Sequence, residues 1–327
     1  MDVAGYWRTQ PAEWQPLFRT WHARYPERTR LHAWPQWGGE RLLALSIAPT
    51  GRLRGRRRLP LVRLLVAVPH AHEPASTAAA VDVACQLLSG VHLDGTPSAL
   101  ESAHPRRAPL VTLLPDGNPQ GRVRSPRRCW DGTTCDNEGL WREAFGVAAD
   151  GGRFPRLPEW RLSEQRPREI GLTFESLSED LYVEPNTSRL STYSRALDDL
   201  FARFRYTHML EMHQHAWPDA VLLPDDFDTS PPDVRAAAMG WAQALLAAWR
   251  AAGADPRPAP AVPCRGQPRQ QLRQAFWRGR FPGMLRLASE VRQGRLEPGG
   301  GEPTPQDRQM RLACVALEAS LRHVAEA

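Results

Sequence analysis

One stretch limits what this chain can fold into: Leu61-Val-Arg-Leu-Leu-Val-Ala-Val-Pro-His-Ala-His-Glu-Pro-Ala75. Leu61 to Val68 is a short apolar run of the kind a buried strand needs, and Pro69 breaks it. From Ala75 to Leu88 the composition turns helical. Between strand and helix sit two imidazoles and a carboxylate, His70, His72 and Glu73. Open α/β sheets carry their sites at such hand-overs, at the carboxyl ends of strands.

The rest of the chain repeats the alternation. Trp14, Leu17, Phe18, Trp21 and Tyr25 share a face, so Pro11 to Tyr25 reads as a helix. Arg41 to Ile47 and Pro109 to Leu114 read as strands. Residues Arg122 to Arg168 show little periodicity, and a stretch that long without structure is functional or disordered. From Thr187 a helix is expected, with Leu190, Tyr193, Leu197, Leu200, Phe201 and Phe204 on one face. It leads into a strand His208–Met212, with His213 and His215 directly after it. Asp233 to Ala252 reads as a helix and Met284 to Val291 as a strand with Glu290 near its end. A last helix starts at Thr304-Pro305, an N-cap followed by proline at the first helical position. Strands alternating with helices throughout argue one layered α/β domain over residues 1–327.

Bulk properties narrow the function classes. No run approaches the roughly 18–20 apolar residues of a membrane span, and the N-terminus lacks the pattern of a secretory signal. Five cysteines without repeated spacing make no disulfide framework, and Cys129 and Cys135 lack the paired spacing of a structural zinc site. A cytoplasmic setting is expected. The chain has no lysine, so all 42 basic residues are arginine and the net charge is +6. The dense cluster Arg52, Arg54, Arg56, Arg57 and Arg58 falls between two expected strands and reads as an exposed hairpin loop. Nucleic-acid binding calls for basic charge gathered on one face, which the sequence does not show.

The polar hand-over has the composition of a metal site. Zinc takes histidine nitrogen and carboxylate oxygen, and a catalytic zinc uses three protein ligands. His70 and Glu73 can share one ion. His213, which also follows a strand, is the best third ligand, and two neighbouring strands ending in ligands would converge on one Zn2+ per chain. Glu290 at the end of a further strand suits a general base. His72 and His215 read as walls or supports of the site.

These residues resemble the zinc carboxypeptidase family, the carboxypeptidase A-like metallopeptidases, over nearly the whole chain. Pro69-His-Ala-His-Glu-Pro-Ala75 is similar to the family's His-Gly-x-Glu-Pro-Ala element. Asn118-Pro-Gln-Gly121 looks like its Asn-Pro-Asp-Gly loop, and Glu184-Pro-Asn-Thr187 stands where the family has Glu-Pro-Glu-Thr before a helix. The resemblance implies a three-layer α/β/α sandwich with a central mixed, mostly parallel sheet. It implies His70, Glu73 and His213 as zinc ligands, Glu290 as base, and an arginine that polarises the scissile carbonyl, with Arg127, Arg128 and Arg124 as candidates. Substrates would be peptides or acyl-amino acids cleaved at a C-terminal peptide or amide bond.

The chain also departs from the pattern. Gln120 replaces the usual aspartate, and no tyrosine follows Tyr206 to cap a substrate. The Asn–Arg pair that clamps a substrate carboxylate has no clear match, Asn137 being nearest. Amidases and deacylases on the same scaffold therefore stay open. Two rivals remain. His70-Ala-His72 and His213-Gln-His215 also suit a barrel amidohydrolase, although too few strands are expected for a barrel. A carboxypeptidase-like binding module with a decayed site is the other.

Overall fold

The computed structural model describes residues 3–48, 53, 62–98, 100, 109–125, 137–215, 218–293 and 304–326. Its backbone is a seven-stranded sheet built from β1 (Thr29–Pro35), β2 (Arg41–Ile47), β3 (Arg63–Ala67), β4 (Leu110–Leu114), β5 (His208–His215), β6 (Ala220–Leu222) and β7 (Leu285–Arg292). The spatial order is β1-β2-β4-β3-β5-β7-β6. The four central strands β4, β3, β5 and β7 run parallel. The other pairings are antiparallel, so β1 also points with the central four and the sheet is mixed and mostly parallel. The sheet is open, which removes the barrel amidohydrolase reading.

Strand alternation sends side chains to two separate cores. On one face Leu43, Leu64, Val66, Leu113, Leu210 and Met212 pack with helix α1 (Pro11–Arg24), α2 (Pro74–Ser89), α5 (Pro232–Ala251) and α7 (Gln306–Glu326). On the other, Leu42, Ala44, Leu65, Ala67, Leu114 and Met209 pack with α4 (Thr192–Phe204) and α6 (Pro268–Trp277). Helices on both faces of a sheet make the three-layer α/β/α sandwich. Helix α2 is buried on nearly every side, which is why its sequence is alanine-rich with no charged face, Asp82 excepted. Asp82 accepts from the Gln86 amide, the Leu93 N–H and the His92 ring.

The sequence reading needs three corrections. Helix α4 starts at Thr192, capped by the Ser191 hydroxyl, not at Thr187. Leu190 thus lies before the helix and is 49% exposed, while Tyr193, Leu197 and Leu200 are buried as expected. Strand β5 runs on through His213 to His215. The stretch Arg122–Arg168 holds helix α3 (Asn137–Phe145) and short strands, among them Glu159–Arg161, which pairs with Leu181–Val183. Phe154, Trp160 and Phe174 form a small core beneath these strands. The Arg52–Arg58 cluster, Cys129 and Cys135 lie outside the described residues.

Candidate metal centre

Parallel pairing of β3, β5 and β7 brings three polar residues to one end of the sheet. His213 lies opposite Glu290 in the β5–β7 register. Beyond Ala67 the chain leaves β3, and the Val68 carbonyl accepts from the Gly117 N–H at 2.7 Å. This tie turns the loop so that His70, His72 and Glu73 are buried above the strand ends. Glu73 then occupies the N-cap of α2 with Pro74 at the first helical position, where a carboxylate faces the positive end of the helix dipole.

The ligand-type atoms converge. His70 Nδ1 is 2.9 Å from Glu73 Oε1, His213 Nδ1 is 3.1 Å from the same oxygen, and the two Nδ1 atoms are 3.3 Å apart. Tetrahedral zinc with ligands at about 2.0–2.1 Å sets ligand–ligand spacings of about 3.3 Å. The three atoms already stand close to one face of such a tetrahedron. Glu73 Oε2 and His213 Nε2 are buried without a hydrogen-bond partner. A buried carboxylate oxygen facing no donor is costly unless a cation meets it, so the donor set fits a divalent metal.

His72 is the fourth candidate. Ligand atoms of His70, His72 and Glu73 lie within 4.8 Å of one another. His72 Nε2, however, stands 3.9 Å from Glu73 Oε1, its Nδ1 meets the Thr173 hydroxyl at 3.0 Å, and its ring stacks on His70. His213 has the better geometry and His72 the position of a wall.

The charges agree with a cation site. Burial alone would raise the Glu73 carboxyl, but His70 and His213 outweigh it and hold Glu73 well below the usual carboxylate range. Burial alone would lower His213, yet the Glu73 carboxylate beside it pushes the imidazole up to about 9. A metal would replace that proton, since ligating imidazole is neutral.

Support comes from behind. His70 Nε2 meets Asn186 Oδ1 at 3.1 Å, and Glu184 Oε1 stands 3.9 Å from the same nitrogen. An imidazole that donates from Nε2 presents its Nδ1 lone pair to a metal. The segment Glu184–Thr187, placed by its resemblance to Glu-Pro-Glu-Thr, thus orients the first histidine. Asn118-Pro-Gln-Gly121 is scaffold: Asn118 Nδ2 donates to the carbonyls of Leu172 and Thr173. A Cβ on Gly121 would stand 2.0 Å from the Leu172 carbonyl oxygen, so only glycine fits there.

An open cavity of about 200 Å³ lies over these groups, with His70, Glu73, His213 and Glu290 along its lining. Glu290 Oε2 is buried without a partner. Leu140, Trp141 and Phe145 of α3 form an apolar wall. Asn137 opens that helix. Arg124 is turned away: its guanidinium donates to the Phe174 carbonyl at 3.1 Å and does not line the cavity. Arg127 and Arg128 lie outside the described residues.

Sequence reasoning missed the cationic wall formed by Arg156, Arg269 and Arg273. Arg156 and Arg269 both donate to Glu184 Oε1. Arg273 Nε donates to Asp225 Oδ1 at 2.8 Å. The i,i+4 spacing of Arg269 and Arg273 was the available signal, because it puts both on one helix face. Arg156 carried none.

The sequence matches no family model and no curated protein. Its fold does have solved counterparts. Thrombin-activatable fibrinolysis inhibitor aligns over 99% of this chain and 79% of its own, with 12% identity and a TM-score of 0.57. Carboxypeptidase A from Helicoverpa armigera aligns over 97% and 74%, with 14% identity and a TM-score of 0.56. The bovine fibrinolysis inhibitor in complex with tick carboxypeptidase inhibitor aligns over 99% and 98%, with 12% identity and a TM-score of 0.55. Likeness at such identity speaks to architecture, and the chain has the fold of the carboxypeptidase A-like zinc metallocarboxypeptidases.

Proposed function

We propose that the protein is a zinc-dependent hydrolase of the carboxypeptidase type, working as one catalytic domain, cytoplasmic, on peptides or acyl-amino acids. The observation that carries this reading is the convergence of His70 Nδ1, His213 Nδ1 and Glu73 Oε1 within 2.9–3.3 Å, with Glu290 in register beside His213. His70, Glu73 and His213 would hold the metal. Bound there, zinc supplies Lewis acidity, lowering the pKa of water and polarising a carbonyl. Glu290 takes the proton of the attacking water and delivers it to the departing amine nitrogen. Arg156 and Arg269 share one carboxylate, Glu184, and so carry a surplus positive charge at the cavity wall. They receive the substrate's terminal carboxylate, the task Asn137 was expected to share. Arg127 and Arg128 remain the proposed partners of the scissile carbonyl.

A second reading, an amidase or deacylase on the same centre, is favoured by one observation: among the described residues, no tyrosine lines the cavity. The two readings share the metal and the base and differ in substrate.

The test is zinc content per chain with activity on peptides and N-acyl-amino acids. Wild type should carry one zinc, and His213→Ala little. Glu290→Gln should keep zinc and lose roughly a thousandfold in activity. Full zinc in His213→Ala would pass the third ligand position to His72 or His215. Zinc-loaded wild type that cleaves nothing would favour the binding-module reading.

A further inference from the structure

Gln214 stands between His213 and His215 on β5. Residues two apart on a strand share a face, so its side chain continues the row of Leu210 and Met212 on the side of α2, α5 and α7. It is 4% exposed. Packing alone calls for an apolar residue there, because a buried amide is costly unless its two ends are bonded. Here both are. Gln214 Oε1 accepts from the Ala75 N–H at 2.7 Å, and Gln214 Nε2 donates to Gln309 Oε1 at 2.9 Å. Gln309, also buried, donates in turn to the Thr304 carbonyl at 2.8 Å.

The Ala75 N–H belongs to the second residue of α2 and is one of the donors that a helix start leaves without an intrahelical acceptor. The usual acceptor for it is the side chain at the N-cap. The N-cap of α2 is Glu73, and its carboxylate makes no capping bond. Glu73 Oε1 is turned instead to His70 Nδ1 and His213 Nδ1, at 2.9 and 3.1 Å. Gln214 thus does the capping that Glu73 leaves undone. The same side chain also fixes a spacing. It starts from the residue after His213 and ends on the second residue after Glu73, tying two of the three candidate ligands together from behind.

We propose that Gln214 is a positioning residue of the metal centre: by capping α2 from β5 it releases the Glu73 carboxylate to the metal, and Gln309 of α7 holds its amide in place. The inference rests on the zinc-dependent hydrolase reading and adds how the ligand set is kept open. Without the Gln214 amide, the acceptor that the helix geometry offers to the Ala75 N–H is the N-cap carboxylate itself. Glu73 turned onto that N–H is Glu73 turned away from His70 and His213. Zinc and helix would then compete for one side chain.

The experiment compares wild type with Gln214→Met, in which a side chain of nearly the same length has no amide. Zinc affinity is read by chelator competition, and hydrogen exchange of the Ala75 N–H by NMR with and without zinc. Affinity in Gln214→Met should fall about 10–100-fold. In wild type the Ala75 N–H should be equally protected in both states. In Gln214→Met it should be protected without zinc, where Glu73 caps it, and lose about tenfold in protection when zinc binds, the scale of one hydrogen bond to a charged group. A residue that only stabilises the helix would lower the melting temperature and change neither readout. Should Gln214→Met fold poorly, Gln309→Met loosens the same amide and should weaken zinc about threefold, the scale of one neutral hydrogen bond. Wild type that binds no zinc would sink the hydrolase reading and this inference together. Zinc-binding wild type with unchanged affinity in the folded variant, or Ala75 protection in Gln214→Met that does not respond to zinc, would overturn this inference alone.

Discussion

The two ends of the cavity are built differently. The candidate metal end stands on the carboxyl ends of adjacent parallel strands, with His213 and Glu290 in register and His70 and Glu73 on the loop after β3. The arginine end is assembled from residues far apart in sequence: Arg156 before a short strand, Glu184 after another, and Arg269 and Arg273 on α6. At the metal end, carboxylate and imidazoles face the cavity. At the arginine end the guanidinium groups face it and their counter-ions are sealed behind, with Glu184 0% exposed. One end is fixed by backbone pairing and the other by charge pairing, so the two should fail in different ways.

The largest expected effect comes from removing the counter-ion. Glu184→Gln leaves Arg156 and Arg269 facing each other with no carboxylate between them. Both arginines keep some solvent contact, so the loss is expected at roughly 2–3 kcal/mol, below that for a fully buried pair. Burial would raise the Glu184 carboxyl, but Arg156 and Arg269 outweigh it and hold it far below the usual carboxylate range. A depressed folded-state pKa gives stability that is present above the unfolded value, about 4.3, and lost as pH falls below it. Denaturant melts of wild type and variant should therefore differ most near neutral pH and converge as pH drops below about 4. A gap that stays constant into acid would mean that Glu184 is not the ionised hub of the wall.

At the metal end the sensitive point is orientation. Asn186→Ala removes the partner of His70 Nε2 and frees the ring to rotate or change tautomer. Zinc affinity should fall about 10–100-fold, with the fold intact. A chelator competition reads this directly. Unchanged affinity would show that the Glu73 contact alone holds the ring.

The same contrast explains what could be seen in the sequence. The β3 run, the break at Pro69 and His70-x-x-Glu73 form one local signal, because a strand end and a helix start fix all of them within a dozen residues. The strand-end placement of His213 and Glu290 was legible for the same reason, each lying near the end of its own apolar run. The fold class followed from strand–helix alternation. Tertiary pairing hid the rest. Nothing local distinguishes Arg156 or Arg269 from the other arginines of an arginine-rich chain, and their role exists only through Glu184. The α4 boundary was misplaced because Leu190 continues the apolar spacing of the helix, while the Ser191 side chain accepts from the Ser194 N–H and starts the helix two residues later. Arg124 sits next to a motif yet spends its hydrogen bonds on scaffold carbonyls, a fate that spacing cannot reveal.

The smallest expected effect is a control on the arginine end. Arg142 and Glu169 make a two-pronged pair with contacts of 2.7–3.2 Å, hydrogen-bonded as the pairs of the cavity wall are, but the side chains are 57% and 51% exposed. Water screens such a pair, and holding two long side chains costs entropy. Glu169→Gln should therefore change stability by less than about 1 kcal/mol, and added salt should erase the change. Set beside Glu184→Gln, this separates geometry from burial, since both substitutions remove a carboxylate from arginine at contact distance. If both cost the same, contact distance alone would account for the arginine end, and sealing the counter-ions behind the wall would have no energetic consequence.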